Sequence, residues 1–169
     1  MGAVSSQICN PFAAKKRYVV LMSGLSGAGK TSIQCRMKFG QFPEKICSYV
    51  SCIMEEIEFD AFGMTLIDIG ASEKWRAQHV KQRHDAKILI YVVDCTDADR
   101  MEESRSELHQ HLSEETMKGV KLLVLVSKRE IPNGISDEMI IDRLKLRSIE
   151  DREWHMISTS AKTGMGISD

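Results

Sequence analysis

Short apolar runs recur along the chain and are separated by longer, more polar stretches. Segments 18–22, 88–93 and 120–126 are apolar nearly throughout, which is typical of strands that are covered on both faces. A shorter run at 153–158 is expected to form the last strand. These runs predict a sheet whose central strands are buried.

A hairpin is predicted between the first and second buried runs. Apolar and polar residues roughly alternate over 51–59, a turn follows at 60–63, and the chain then enters the more apolar segment 64–69. Helices are predicted in the polar stretches, at residues 31–39, 72–84, 99–117 and 137–146. Strands and helices therefore alternate, which predicts an α/β fold with a six-stranded, mostly parallel sheet and helices on both of its faces.

Length and charge limit the functions open to this chain. Its 169 residues suit one domain, here 17–169 after a tail at 1–16, and its 23 basic and 24 acidic residues leave a net charge of −1. No global positive field draws it to nucleic acid. The five cysteines lack C-x-x-C spacing, as expected of reduced thiols in the cytoplasm.

A glycine-rich loop follows the first buried run. It matches G-x-x-x-x-G-K-[ST] and consists of Gly24, Leu25, Ser26, Gly27, Ala28, Gly29, Lys30 and Thr31, with Ser32 next in the same site. Between a strand and a helix, such a loop surrounds nucleotide phosphates with backbone N–H groups. Lys30 then neutralises phosphate charge, and the Thr31 hydroxyl can bind Mg²⁺. The loop predicts a nucleoside-triphosphate site.

Further candidates follow three other strands, at the sheet edge where parallel α/β sheets bind ligands. Asp68 ends the second arm of the hairpin and is expected to bind Mg²⁺ through water, while the amides of Gly70 and Ala71 face the γ-phosphate. Two later segments suggest a purine pocket: Ser127, Lys128, Arg129 and Glu130, and Ser160, Ala161 and Lys162. Lys128 would cover the ring, Glu130 would accept from guanine N1–H and its 2-amino group, and the Ala161 amide would donate to O6.

The chain resembles the ADP-ribosylation factor family of small GTPases in four segments: the glycine loop, Val92-Val93-Asp94-Cys95-Thr96-Asp97-Ala98-Asp99-Arg100, Ile131-Pro132-Asn133 and Ser160-Ala161-Lys162. The resemblance runs from about residue 15 to 167, and the stretch 92–100 is its most family-specific part. It implies a switch between GTP and GDP with Mg²⁺. It also implies exchange factors, GTPase-activating proteins and effectors as partners, and work on vesicle traffic or membrane organisation.

The chain departs from the family pattern in several motifs. Ser72 stands where relatives have the glutamine that orients the attacking water, so slow or partner-dependent hydrolysis is expected, with Lys30 stabilising charge. Ala71 replaces a glycine, which restricts the backbone there. Ser127 replaces the asparagine that braces the glycine loop, and Glu130 replaces an aspartate. Ser48 or Tyr49 falls near the place of the family threonine that binds Mg²⁺ in the GTP state, and Ser48 is the chemically plausible substitute.

The two ends of the chain carry further expectations. Met1-Gly2-Ala3-Val4-Ser5-Ser6 matches the pattern for myristoylation at Gly2, with the basic run 15–17 as a second signal for reversible membrane attachment. The expected location is the cytoplasm, peripheral on the Golgi or another endomembrane. The sequence stops where relatives begin a last helix, so that helix is expected to be missing.

Two other classes of function share parts of this pattern. A binding scaffold without significant hydrolysis would keep the fold and fits the altered motifs. A small P-loop kinase would need an arginine-rich lid and an acceptor pocket, and no segment supplies either. Four histidines among charged residues are expected on solvated helix faces: His79, His84, His109 and His111. Arg100 and Arg105 are interpreted as members of surface ion pairs.

Overall fold

The structure is a computed structural model and describes residues 15–42, 54–69 and 84–167. In chain order its elements are β1 (Lys16–Ser23), α1 (Lys30–Phe39), β2 (Met54–Glu58), β3 (Phe62–Asp68), β4 (Ala86–Asp94), α2 (Met101–Ser113), β5 (Lys121–Ser127), α3 (Asp137–Arg143) and β6 (Trp154–Ser158). Two short 3₁₀ helices, Glu115–Met117 and Leu146–Ser148, follow α2 and α3.

All six strands form one sheet in the order β2-β3-β1-β4-β5-β6. Only the β2–β3 pair is antiparallel, and the other neighbours pair in parallel. This confirms the predicted α/β fold and its six-stranded, mostly parallel sheet. Parallel pairing brings the carboxyl ends of β1, β3, β4, β5 and β6 to one edge, where the predicted site residues follow them.

Two hydrophobic clusters cover the two faces of the sheet. One includes Leu108 of α2 and Ile140 of α3, and the other includes Ile33 of α1, each of them fully buried. Helices therefore lie on both faces, as predicted. Among the described residues there are three α-helices, and after β6 the chain continues in turns to residue 167. No helix in the described ranges has the length and apolarity needed to cross a membrane.

Two predicted helices end earlier than the sequence suggests. The predicted helix 99–117 begins at Met101 and ends at Ser113, because Glu114 is extended, with φ −68° and ψ 138°. The guanidinium of the buried Arg152 donates to Leu112 O (3.1 Å) and Met117 O (2.9 Å), so carbonyls at this break keep partners. The predicted helix 137–146 likewise ends at Arg143, shortly before Lys145 takes a left-handed φ of 53°.

The hairpin turn is tighter than predicted. Phe62 and Gly63 were expected in the turn, but they begin β3 and pair with Lys16 and Arg17 of β1. The Phe59 N–H donates to Phe62 O (2.9 Å), and the two rings stack with centroids 4.8 Å apart. Stacking thus closes the turn after Glu58. Residues 51–53 of the predicted first arm and most of the predicted helix 72–84 lie outside the described residues.

One histidine prediction is wrong. His111 was expected on a solvated face, but it is only 2% exposed, on the buried face of α2 with Met101, Ser104 and Leu108. His109 is half-buried, with Nε2 2.9 Å from Leu144 O, whereas His84 is exposed as predicted. His79 lies outside the described residues. Charged neighbours in the sequence obscured the helical spacing that carries His111 inward.

Candidate functional site

The loop between β1 and α1 is shaped by glycines with positive φ. Gly24 has φ +136°, and a Cβ there would lie 2.2 Å from Val92 O of β4, so only glycine fits. Gly29 (φ +99°) is the N-cap residue of α1, whose N-terminus has neither a side-chain cap nor an acidic residue in its first turn. The N-terminal N–H groups of α1 therefore face the loop without a competing carboxylate from that turn.

Lys30, the first residue of α1, folds back over the loop. Its Nζ donates to Gly24 O (2.6 Å) and Leu25 O (3.1 Å). The ammonium group therefore lies on the concave side of the backbone turn, where a phosphate chain would meet both its charge and the loop amides. Thr31 and Ser32 follow in the same first turn and are half-buried.

Asp68 ends β3 beside this loop. It pairs with Met22 of β1, and the next N–H, that of Ile69, donates to Met22 O (2.8 Å). A carboxylate thus lies at the same sheet edge as the Thr31 hydroxyl. Within 15–42, 54–69 and 84–167, no three His, Cys, Asp or Glu side chains form a metal-binding group. Hydroxyl and carboxylate oxygens are the donors that Mg²⁺ takes, and it completes its shell with water and phosphate.

Ser127 braces the glycine loop from the end of β5. Its buried Oγ lies 2.6 Å from Ala28 O and 3.1 Å from Val93 O. The amide expected from the family pattern is absent, but the hydroxyl makes a loop contact of its own. The sequence motif indicated only that the asparagine amide is lost, because the distance from the Ser127 hydroxyl to Ala28 O depends on the folded structure.

A second brace contradicts the interpretation of Arg100 as a surface ion pair alone. Its guanidinium pairs with Asp97, as expected, but both terminal nitrogens also lie 3.2 Å from Ser26 O of the glycine loop. Arg105, by contrast, pairs with Glu102 on the surface of α2, as expected. The position of Arg100 just before α2 was the available signal, since that end of α2 follows β4 at the ligand edge.

Lys128 follows β5 in a left-handed conformation, with φ 61°. Its Nζ forms an ion pair with Asp94, whose Oδ1 also accepts from Thr96 N (2.8 Å) and Thr96 Oγ1 (2.7 Å). Burial alone would favour the protonated acid, but hydrogen bonds from Lys128 and Thr96 outweigh it and lower the pKa of Asp94. The Lys128 stem is thereby anchored at its tip.

Arg129 fixes the segment after Lys128. Its guanidinium donates to Ser158 Oγ (3.0 Å) and Ile135 O (2.6 Å) and pairs with Asp137 of α3. Glu130, the next residue, is exposed at the sheet edge. The network ties the chain that carries Glu130 to β6 and α3, and the sequence motif alone did not indicate it.

The predicted second half of the purine pocket follows β6. Ser160 and Ala161 are buried, and Lys162 is exposed. Ser160 Oγ accepts from Thr163 N (3.1 Å), and Ser160 O accepts from Gly164 N (2.8 Å), which closes a turn. Arg36 of α1 donates to Thr163 O (3.2 Å), and a Cβ at Gly164 would lie 2.3 Å from its guanidinium. The segment is thus docked onto the helix that begins at the glycine loop.

Several predicted site residues lie outside the described residues. They are Gly2, Ser48, Gly70, Ala71 and Ser72. The described candidates all lie at one edge of the sheet: the glycine loop with Lys30, Thr31 and Ser32; Asp68; Ser127, Lys128 and Glu130; and Ser160, Ala161 and Lys162.

A strand, a glycine loop and a helix N-terminus at the carboxyl edge of a parallel sheet, with a lysine over the loop, define the P-loop class of nucleotide-binding proteins. The model of the ADP-ribosylation factor family matches residues 4–169. The chain belongs to this family of small GTPases, whose fold implies guanine-nucleotide binding. The sequence-based recognition is confirmed.

A solved structure supports the same fold. The chain is similar to the Arl6 BBS3 small GTPase from Trypanosoma brucei, whose structure was determined with the bound nucleotide analogue GppNp. The sequence identity is 23% and the TM-score 0.76, with 90% of this chain and 92% of that chain covered. At this identity the likeness extends to the fold.

Proposed function

We propose that this chain is a switch that binds GTP or GDP with Mg²⁺ and presents a different surface to partner proteins in each state. The observation that carries the proposal is the glycine loop with Lys30 folded over it at the N-terminus of α1. The similar Trypanosoma brucei protein was solved with the nucleotide analogue GppNp, which further supports a guanosine triphosphate as ligand.

Mg²⁺ would be held by oxygen donors that flank the phosphates. Thr31 would bind the ion directly, and Asp68 would bind it through water. Ser48 would supply the further hydroxyl in the GTP state. When bound, the ion neutralises charge on the phosphate oxygens.

Guanine would bind between the segments that follow β5 and β6. The stem of Lys128 would cover one ring face, and the exposed Glu130 would accept from N1–H and the 2-amino group. The Ala161 amide would donate to O6. The ion pair of Lys128 with Asp94 and the contacts of Arg129 support this arrangement, because they fix the backbone from which Glu130 projects.

Hydrolysis is proposed to be slow without a partner. Ser72 replaces the glutamine that orients water in relatives, and its side chain is shorter. The amides of Gly70 and Ala71 would face the γ-phosphate. The Cβ of Ala71, where relatives have glycine, further restricts the backbone conformations available there. Lys30, Mg²⁺ and the loop amides would still stabilise charge during in-line attack by water. Exchange factors, GTPase-activating proteins and effectors are the proposed partners.

The proposed setting is the cytoplasmic side of an endomembrane such as the Golgi, in vesicle traffic. Myristoylation at Gly2 and the basic run 15–17 would together give reversible attachment, since one acyl chain alone binds weakly. Co-expression with an N-myristoyltransferase tests this by the intact mass of the chain. An unmodified mass would remove the anchor from the proposal.

Titration of the purified, nucleotide-free chain with GTP, GDP and ATP in the presence of Mg²⁺ tests the central proposal. We expect the guanine nucleotides to bind at least about tenfold more tightly than ATP, a difference of about 1.4 kcal/mol. Lys30→Met should weaken all three nucleotides, whereas Lys121→Met, which removes an exposed lysine paired with Glu153, should weaken none. Equal binding of ATP and GTP would contradict the guanine assignment.

A second candidate is a nucleotide-binding scaffold that does not hydrolyse GTP. The altered motifs favour it, above all Ser72 and Ala71 where relatives have glutamine and glycine, because they concern the groups that would act on the attacking water and the γ-phosphate. A single-turnover assay with bound GTP separates the two. Turnover on addition of a GTPase-activating protein supports the switch, and unchanged GTP under all conditions supports the scaffold.

A further inference from the structure

A polar cluster lies directly behind the glycine loop, with Ser23 and His111 buried and Glu107 half-buried. Ser23, the last residue of β1, is fully buried, and its Oγ lies 2.9 Å from His111 Nε2 and 3.1 Å from Glu107 Oε1 of α2. His111 is itself 2% exposed. None of these three residues belongs to the motifs of the proposed nucleotide site.

Both nitrogens of the His111 ring face a carboxylate. Nε2 lies 3.7 Å from Glu107 Oε1, and Nδ1 lies 3.5 Å from Glu114 Oε1 without forming a hydrogen bond. Among the described residues, Ser23 approaches from β1, Glu107 from α2 and Glu114 from the residue after α2, and the charge of Lys30 acts on Glu107 from α1. The neighbouring His111 ring is the main influence that lowers the pKa of Glu107. Burial opposes it, and Ser23 and Lys30 add to it.

Counting protons shows what this arrangement favours. In a neutral ring protonated at Nδ1, the Nε2 lone pair and the Glu107 carboxylate compete for the single hydrogen of the Ser23 hydroxyl, so one of them lacks a donor there. A neutral ring protonated at Nε2 turns the Nδ1 lone pair toward Glu114. The imidazolium form has a proton on each nitrogen. Nε2–H then donates to Ser23 Oγ, the Ser23 hydroxyl donates to Glu107, and Nδ1–H points at Glu114. Only in the imidazolium form do the Ser23 oxygen, the Glu107 carboxylate and the Glu114 carboxylate each face a donor hydrogen.

The cluster of Ser23, Glu107 and His111 is also connected to the nucleotide site through the backbone. Ser23 is bonded to Gly24, whose carbonyl oxygen accepts from Lys30 Nζ (2.6 Å). The conformation of Ser23 is therefore transmitted to the start of the glycine loop. A buried positive charge on His111 also attracts phosphate anions in that loop, and burial reduces its screening by solvent.

We propose that His111 is a positioning residue for the glycine loop, and that its protonation, relayed through Ser23, strengthens the binding of a nucleotide diphosphate or triphosphate. The inference rests on the proposed nucleotide site and adds regulation by pH to it. Because the coupling is reciprocal, bound nucleotide also favours the imidazolium form of His111.

Binding of GDP with Mg²⁺ to the full chain, measured by calorimetry at pH 6 and pH 8, tests the proposal. GDP changes its own protonation over this range, so the measured quantity is the ratio of the two dissociation constants compared between variants. We expect the preference for pH 6 to be about fivefold larger in the wild type than in His111→Gln, a value at the low end of coupling between sites. Ser23→Ala should also reduce the preference, because it removes the relay.

His109→Gln is the matched control, since His109 lies on the same helix but contacts Leu144 O instead of the loop. It should retain the wild-type ratio. Ratios are compared within each variant, and the calorimetric stoichiometry gives its folded fraction, so loss of stability cannot imitate the effect. Equal ratios for the wild type, His111→Gln and Ser23→Ala would overturn this inference alone. Absence of GDP binding by the wild type at both pH values would overturn the proposed function and this inference with it.

Discussion

The candidate site has two ends that are built differently. The phosphate end, residues 24–31, depends on backbone shape, with positive φ at Gly24, Gly27 and Gly29. The base end, residues 127–130 and 160–162, depends on long-range contacts of two arginines that are not proposed to touch the base: Arg129 contacts β6 and α3, and Arg36 of α1 contacts Thr163. The first end is encoded in one short stretch, and the second is assembled from distant parts of the chain.

This difference predicts different consequences of mutation. Changes at the phosphate end should affect every nucleotide, because all nucleotides share the phosphates. Changes at the base end should alter the preference for guanine over adenine. Ser127 crosses the division, since it belongs to the base end in sequence but its Oγ contacts Ala28 O of the phosphate end.

The largest effect is expected for Gly24→Ala. The added Cβ would lie 2.2 Å from Val92 O in a backbone conformation that L residues rarely adopt, so unfolding free energy should fall by about 4 kcal/mol. Urea denaturation measures it. Gly119→Ala is the control, because it shares a positive φ (+73°) but has nothing within 4 Å of the new Cβ. It should cost about 1 kcal/mol. Equal losses would refute the steric account.

Arg129→Met should have the next largest effect. The substitution removes the mostly buried guanidinium that donates to Ile135 O and Ser158 Oγ. The free energy of unfolding should fall by about 2 kcal/mol. The preference for GTP over ATP should also decline, while the ATP affinity changes little. Arg147→Met removes exposed ion pairs with Glu138 and Asp142 and should change neither quantity. A variant that loses affinity for both nucleotides equally would contradict the division into two ends.

Ser127→Ala should have a smaller effect on stability and, unlike Arg129→Met, should leave the preference for GTP over ATP unchanged. Loss of the hydroxyl near Ala28 O and Val93 O should cost about 1 kcal/mol of stability. GTP and ATP should weaken by the same factor, because the contact is with the glycine loop. Ser106→Ala, which removes an exposed hydroxyl bonded to Glu102 O, is the comparison and should change nothing measurable. Selective loss of GTP would assign Ser127 to the base end instead.

The smallest effect concerns acid. Because the pKa of Asp94 is lower in the folded chain than its usual 3.8, the folded state binds fewer protons than the unfolded state there. The stabilisation is therefore complete above that usual value and is lost as pH falls below it. Thermal unfolding between about pH 5 and pH 3 should show Asp94→Asn approaching the wild type as pH decreases. A gap that stays constant would show that the carboxylate charge is not the cause.

Most of the fold could be predicted from local sequence patterns, because each buried strand is a short, continuous run of apolar residues. The ends of α2 and α3 could not be predicted in this way, since no glycine or proline in the sequence marks the extended backbone at Glu114 or the left-handed backbone at Lys145. The glycine loop was predictable as a contiguous motif. The roles of Arg129 and His111 were not, because their partners are distant in sequence and become neighbours only after the sheet has formed.

Cys95 gives the base end an internal reporter. Its thiol is 1% exposed, lies 3.5 Å from Lys128 O, and faces Gly134 so closely that an added Cβ would lie 2.6 Å from Sγ. Burial, the main influence, raises its thiol pKa. Because Lys128 O and Gly134 cover this sulfur, we expect an alkylating reagent to reach it only when that cover opens or the chain unfolds. The rate at which the peptide containing Cys95 gains the alkyl mass, compared with the rate of unfolding, would therefore measure opening beside the proposed purine cleft.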